Sequence, residues 1–279
     1  MQANSLRHLV ELESLPTLPV FVQRLLGVLQ EDSSTAKGLE MIIEKDPAIS
    51  ARILRVANSS FFGMSGRVAT LERAITLLGT RLIQSLALSV SLLDTLAYDR
   101  EVGQLPWKAY WIHSFACASA CTKLVQIGVH TEVKEEAFMC GLLHDLGKPL
   151  LWLFQADAYQ KVLNKIQQDG TDAYLAESAV LGFHHGEIGG EVTKWWKLPK
   201  AIHSAILYHH EASPSELAAQ LVKLADWAAK SEGFCDHLGF VSPTPNQPAG
   251  AANLDQMAEV AEYLKEKQDE IKEIAELLM

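Results

Sequence analysis

Apolar residues recur along this chain at helical spacing, and no convincing run alternates apolar and polar positions as a strand would. Over 46–58, Ile49, Ile53, Leu54, Val56 and Ala57 gather on one face, because side chains three and four apart stack along a helix. Asp46 suits a helix cap, and Pro47 suits the first turn, where a missing N–H costs nothing. Thr70 opens another helix through Glu72, Arg73, Ala74 and Ile75, and Gly79 ends it. The same spacing predicts helices over 20–30, 37–44, 80–96, 108–128, 134–154, 157–169, 173–183, 186–196, 200–210 and 215–229. No fixed-period repeat organises them. The expected class is therefore all-α, a helical bundle.

Two interruptions divide the pattern. The stretch Asp99 to Pro106 is polar and carries Gly103; it separates an N-terminal helical subdomain, 1–104, from a second helical subdomain, 105–230. Beyond it, 231–253 holds Pro243, Pro245, Pro248 and Gly250, which break helices. The rest of the segment 231–279 is a helical tail from Leu254, with Met257, Val260, Ala261, Leu264, Ile271, Ile274, Leu277 and Leu278 in an amphipathic stripe. That stripe is expected to dock on its own domain or to meet a second copy in a homodimer.

Composition narrows the classes. At 279 residues with 48% hydrophobic content, the chain can bury a substantial core. Its net charge of −10 argues against broad nucleic-acid binding, which needs a positive surface to displace counterions. The most apolar stretch, Leu82 to Leu96, is interrupted by Gln84, serines and Asp94, so no membrane span is expected. Cys117, Cys121, Cys140 and Cys235 form no C-x-x-C pair; Cys117 and Cys121, one turn apart, read as small core residues. Reduced thiols and the absence of a cationic apolar leader at Met1 to Ser5 point to the cytoplasm.

Chemistry enters at Gly141-Leu142-Leu143-His144-Asp145-Leu146-Gly147-Lys148, where an apolar segment carries an imidazole beside a carboxylate. A buried carboxylate is costly unless paired, hydrogen-bonded or bound to a cation. His113 precedes this segment, and His184-His185, His209-His210 and Asp226 follow it. His113, His144, Asp145, His185, His209, His210 and Asp226 are thus seven candidate ligands on several helices, as bundles commonly assemble metal sites. Two ions about 3.5–4 Å apart could clamp a phosphate and acidify a bound water. Adjacent helical residues point about 100° apart, so His144 and Asp145 share a site only if an ion lies between them or Asp145 bridges two ions. Lys148 is either a phosphate-binding point charge or a cation at a broken helix end beside Gly147 and Pro149. His184 and His185 cannot both face inward on a regular helix. His209 and His210 divide between ligand and substrate contact in an order the spacing leaves open. His203 reads as solvated, and Trp195 and Trp196 as core.

The order His, His-Asp, His, His-His, Asp resembles the HD superfamily of metal-dependent phosphohydrolases. Leu15-Pro16-Thr17-Leu18-Pro19, the Asp46-Pro47 helix, Ala57-Asn58-Ser59 and Ala74-Ile75-Thr76-Leu77-Leu78-Gly79 are similar to the first half of an HDOD domain. Gly141 to Lys148, Trp196-Lys197-Leu198-Pro199 and Tyr208-His209-His210 are similar to its second half. Gly182-Phe183-x-His185-x-x-x-Gly189 also matches the family at His185, and the resemblance thus favours His185 as the ligand, with His184 near the surface or behind it. The resemblance implies an HD-domain-like helical bundle with an N-terminal helical subdomain, acting as a bacterial signalling module through regulatory protein partners. Such modules have mostly lost phosphohydrolase activity, often with their ligands; here the His and Asp positions are present. The resemblance therefore also implies one or two divalent ions of the Fe, Mn or Mg class. The alternative is an active phosphohydrolase acting on a nucleotide or other phosphorylated small molecule, with Lys148, His209 and His210 as catalytic candidates. The related HD-GYP phosphodiesterases carry Asp-Gly-x-Gly-Tyr-Pro after the paired histidines; Ala212-Ser213-Pro214-Ser215 stands there instead, which argues against cyclic dinucleotide hydrolysis.

Overall fold

The computed structural model describes residues 18–30, 36–63, 68–97, 106–235 and 252–278. The Leu15–Thr17 part of the first motif, most of the 99–106 interruption and the prolines at 243, 245 and 248 lie outside the described residues. Among those described there is no strand, and the all-α expectation holds.

Among the described residues, the N-terminal part consists of α1 (Val20–Gln30), α2 (Ala36–Ile43), α3 (Pro47–Ala57), α4 (Leu71–Leu78) and α5 (Thr80–Ala97). The cap of α3 forms as its sequence dictates, Asp46 accepting from the Ala48 and Ile49 amides at 3.1 Å each. Asn58 then ties the exit of α3 to the next segment. Its amide donates to the Leu54 and Val68 carbonyls at 2.8 Å each, and its oxygen accepts from Val68 N–H at 3.0 Å. Val22, Leu25, Leu39, Ile43, Ile53, Ile83 and Leu86 fill the space between these helices.

The second part is organised around α6 (Trp107–Gln126). Its middle, Ala116 to Cys121, is a run of small buried residues, so neighbouring backbones approach closely. On it pack α7 (Ala137–Leu143) and α13 (Leu217–Ser231), and α8 (Gly147–Phe154), α9 (Ala156–Asp169), α10 (Ala173–Leu181), α11 (His185–Trp195) and α12 (Lys200–Tyr208) complete the part by packing on these and on one another. The Trp196-Lys197-Leu198-Pro199 motif is the end of α11. Lys197 adopts φ 56°, and the Lys197 and Leu198 amides return to the Lys194 and Thr193 carbonyls at 3.1 and 2.9 Å, after which Pro199 prevents continuation.

The helix expected over 134–154 is not continuous. A short 3₁₀ turn at Thr131–Val133 leads into α7, and the chain breaks again between Leu143 and Gly147. The tail is likewise two helices, α14 (Leu254–Glu266) and α15 (Gln268–Leu278). They pack on their own chain: α14 against α6 and α13, α15 against α6 and α3. Met257, Val260, Leu264, Ile271, Ile274 and Leu278 are buried there, so most of the stripe docks on its own chain, while Leu254 is 75% exposed. No single helix among the described residues is long and apolar enough to cross a membrane.

Candidate metal centre

The break between α7 and α8 places the first two site residues. Pro149 has no N–H to offer the Asp145 carbonyl four residues back, and the Lys148 amide fills that role at 2.9 Å. The Leu146 amide likewise bonds Leu143 O at 2.9 Å, so the chain tightens to i→i+3 bonding across His144 and Asp145. Two glycines let this turn sit deep. A Cβ on Gly147 would lie 1.9 Å from the His185 carbonyl oxygen, and one on Gly141 would lie 2.7 Å from the Ala118 backbone. Only glycine allows the turn to press against both α6 and the start of α11.

All seven candidate ligands converge on this turn. His113 comes from α6, His185 from the first turn of α11, His209 and His210 from the end of α12, and Asp226 from α13. His113, His144 and His185 have no exposed surface, and Asp145 retains 1%.

The imidazoles are held from behind. Nδ1 of His113 bonds the Phe234 carbonyl at 2.7 Å, that of His144 the Gly141 carbonyl at 2.8 Å, and that of His209 the Ala205 and Ile206 carbonyls at 3.0 and 2.9 Å. At His185 the partner is the Glu177 carboxylate, 2.6 Å away, which also accepts from the His185 amide at 2.8 Å. A carbonyl or an ionised carboxylate can only accept, so each Nδ1 carries the hydrogen, and in the neutral ring each Nε2 presents a lone pair. Metal-binding histidines are fixed in this way.

Those lone pairs face carboxylates. His113 Nε2 is 3.1 Å from Asp226 Oδ1 and 3.6 Å from Asp145 Oδ2. His144 Nε2 is 3.3 Å from Asp145 Oδ2 and 3.9 Å from Asp226 Oδ1. On the other side of Asp145, its Oδ1 meets His185 Nε2 at 3.0 Å and His209 Nε2 at 3.8 Å. His144 Nε2, Asp145 Oδ1 and Asp226 Oδ1 are buried and in no aligned hydrogen bond. Lone pairs aimed at anions in a dry interior repel unless a cation lies among them.

Protonation does not supply that cation throughout. Burial pushes His113, His209 and His210 below the ordinary imidazole value. At His185 burial is the largest single influence, but Glu177 and Asp145 together outweigh it and raise the imidazole. Burial also opposes charge on the two aspartates, yet His144, Lys148 and His185 hold Asp145 well below the usual carboxylate range. Lys230, then His113, do the same for Asp226. The centre therefore sets anionic carboxylates among imidazoles of which His113, His209 and His210 favour the neutral form, a donor set that fits a divalent ion.

Two groups of donors can be distinguished. The ligand atoms of His113, Cys117, His144 and Asp226 lie within 4.8 Å of one another, as do those of Asp145, His185, His209 and His210. Asp145 stands between them, presenting Oδ2 to one and Oδ1 to the other. The Lys148 ammonium lies 2.5 Å from Asp145 Oδ2, buried within the centre. His209 is buried, whereas His210 is half-buried, stacks on Tyr174 with centroids 4.3 Å apart, and sets its Nε2 2.8 Å from His185 Nε2.

Residue-type reasoning overlooked four participants. Cys117 lies four residues after His113 and Lys230 four after Asp226; both spacings put the pair on one helix face. Lys230 pairs with Asp226 at 2.8 Å. Glu177 and Tyr159, whose hydroxyl donates to Glu177 at 3.1 Å, stand behind His185 with no spacing signal at all. His184 caps α11, its ring accepting from Gly186 N–H while Glu187 returns to the His184 amide. His203 is not solvated as expected: it is half-buried beside the Thr193 hydroxyl at 3.0 Å, away from the centre. Trp196 is buried, but Trp195 is 41% exposed.

The family model of the HDOD domain matches residues 15–212. The chain belongs to the HDOD family. Asp226 and α13 lie beyond the matched segment, so one carboxylate of the centre comes from outside it. Solved structures agree on the fold. An HDOD domain protein of unknown function from Geobacter sulfurreducens superposes with a TM-score of 0.76 at 22% identity, covering 100% of this chain and 99% of that one. A Shewanella amazonensis protein provisionally described as a phosphohydrolase gives 0.77 at 23% identity over 97% and 98%. A curated relative, an uncharacterized protein of Treponema pallidum, is 26% identical over 204 residues. The HDOD chain matches 38% of that relative's length.

Proposed function

We propose that this HDOD protein is a cytoplasmic regulatory unit that holds one or two divalent ions in its His/Asp centre and signals through protein partners. The observation that carries the reading is the set of four imidazoles whose Nδ1 atoms are tied back, so that four Nε2 lone pairs face two buried carboxylates. His113, His144 and Asp226 would hold one ion, and His185 and His209 another, with Asp145 shared between them. A bound ion would supply Lewis acidity and cancel the carboxylate charge. Near-complete burial of the ligands supports ion holding over turnover, since a phosphoester needs a route to the reacting atoms.

A second reading, metal-dependent phosphohydrolysis, is favoured by the placement of Lys148 beside Asp145 and of half-buried His210 at the rim. In that case Lys148 steadies a phosphate oxygen as a point charge, and His210 orients the ester.

Elemental analysis of protein purified without chelator tests the first reading. One or two equivalents of divalent metal are expected, with a rise in melting temperature on adding Mn²⁺ or Fe²⁺. Both are expected to vanish in His144→Ala. A metal-free protein indifferent to either ion would overturn it. Phosphate release from a nucleotide panel, lost in Asp145→Ala that remains folded, would select the second reading.

A further inference from the structure

Cys117 stands inside the centre. It lies one turn after His113 on α6, has no exposed surface, and sets Sγ 3.6 Å from His113 Nε2. A sulfur and a nitrogen bound to one tetrahedral zinc, at about 2.3 and 2.0–2.1 Å, are themselves about 3.6 Å apart. Within the same group of donors, His113 Nε2 and Asp226 Oδ1 are 3.1 Å apart, close to the about 3.3 Å of a tetrahedral edge between nitrogen and oxygen. His144 completes four donors of the kinds zinc takes.

We propose that Cys117 is a metal ligand, and that His113, Cys117, His144 and Asp226 form a subsite selective for zinc over Mn²⁺ or Mg²⁺. The inference rests on the metal-binding reading above and changes its chemistry. A thiolate is a soft donor, and soft donors discriminate against the hard, oxygen-preferring ions. The neighbouring group, Asp145 with His185, His209 and His210, offers only nitrogen and oxygen, so the two subsites differ in preference. On binding, the Sγ–H bond breaks, its electron pair forms the sulfur–metal bond, and the proton leaves to solvent; no oxidant or reductant is involved.

Cobalt(II) substitution of the whole protein tests this. The expected spectrum has visible d–d bands together with a thiolate-to-cobalt charge-transfer band in the near ultraviolet. Cys117→Ser is expected to lose the charge-transfer band, keep d–d absorption from the remaining donors, and bind zinc on the order of tenfold more weakly or worse. Mn²⁺ affinity is expected to move far less. Cys121→Ser, one turn further along α6, keeps the band. Should Cys117→Ser fail to fold, Cys117→Ala provides the same comparison without a new buried hydroxyl. Visible bands without charge transfer in the wild type would overturn the proposal and leave the metal-binding reading intact; the thiol would then merely donate to His113. A charge-transfer band that survives in Cys117→Ser would overturn it too. No cobalt absorption at all would overturn both.

Discussion

Between α1 and α5 the buried polar side chains are Glu40, Ser59, Gln84, Ser85, Ser89 and Ser91, mostly hydroxyls. Ser59 donates to the last turn of α3, Ser85 and Ser91 to carbonyls of their own helix, and Gln84 reaches the Leu25 carbonyl at 3.3 Å, so most of these groups find backbone partners within apolar packing. Between α6 and α13 the buried set includes His113, His144, Asp145, Lys148, Glu177, His185, His209, Asp226 and Lys230. Both parts are helical bundles, yet the first interior is neutral apart from Glu40, which pairs with the exposed Lys37 at 2.8 Å, and the other is ionic. A neutral core gains stability from every apolar contact. An ionic one gains only while each charge keeps its counter-charge, because an uncompensated charge in a dry interior costs several kcal/mol. On the metal-binding reading proposed above, the second interior would draw part of its stability from the ion it holds.

Removing one charge breaks that comparison most severely. Asp226→Ala leaves Lys230 without its 2.8 Å partner and His113 without the nearer of its two carboxylates. A loss of about 3–5 kcal/mol is expected from denaturant midpoints, together with loss of bound metal. Leu39→Ala, at a fully buried position of the neutral core, is expected to cost about 2–5 kcal/mol while metal content stays at the wild-type value. If Leu39→Ala also emptied the centre, the two interiors would be one cooperative unit and the distinction would fail.

A smaller effect is expected behind His185. Glu177 holds both the ring and the amide of His185 without facing the carboxylates of the centre. Glu177→Gln keeps the shape but removes the negative charge that strengthens His185 as a donor. Metal affinity is expected to fall about 10–100-fold, read by competition with a chelator, with the fold intact by circular dichroism. Unchanged affinity would mean that Glu177 serves only to satisfy the buried ring.

Much of this centre can be read from residue types alone, for a physical reason. His144, Asp145, His185 and Asp226 are polar groups in segments whose neighbours demand burial, and a buried ionisable group needs an explanation. Cys117 carries no such contradiction, since a thiol passes for a small apolar residue among Ala116, Ala118 and Ala120. Glu177 hides for the opposite cause: a glutamate within a helical pattern reads as an ordinary solvated face. The helix expected over 134–154 was overextended because periodicity runs unbroken through Leu142, Leu143 and Leu146. Pro149 marked the interruption, but its consequence four residues earlier, at the Asp145 carbonyl, depends on backbone register. The order of His209 and His210 is set by where α12 ends, and boundaries of that kind are decided by tertiary packing rather than spacing.

The smallest effect is expected where the two parts are fastened together. α15 crosses from α6 to α3, and Glu276 on it pairs with Lys108 at the start of α6 at 2.5 Å. Both side chains are more than half exposed, so water and salt screen the pair, and such pairs contribute about 0–1 kcal/mol. The apolar seam beneath it, Ile271, Ile274 and Leu278, is buried and insensitive to salt. Glu276→Gln is therefore expected to lower stability by less than about 1 kcal/mol, the difference shrinking further in high salt, with metal content unchanged. A loss of several kcal/mol, or a loss of metal, would show that charge rather than apolar contact fastens the tail. The neutral and ionic parts would then be coupled through the surface as well as through the seam.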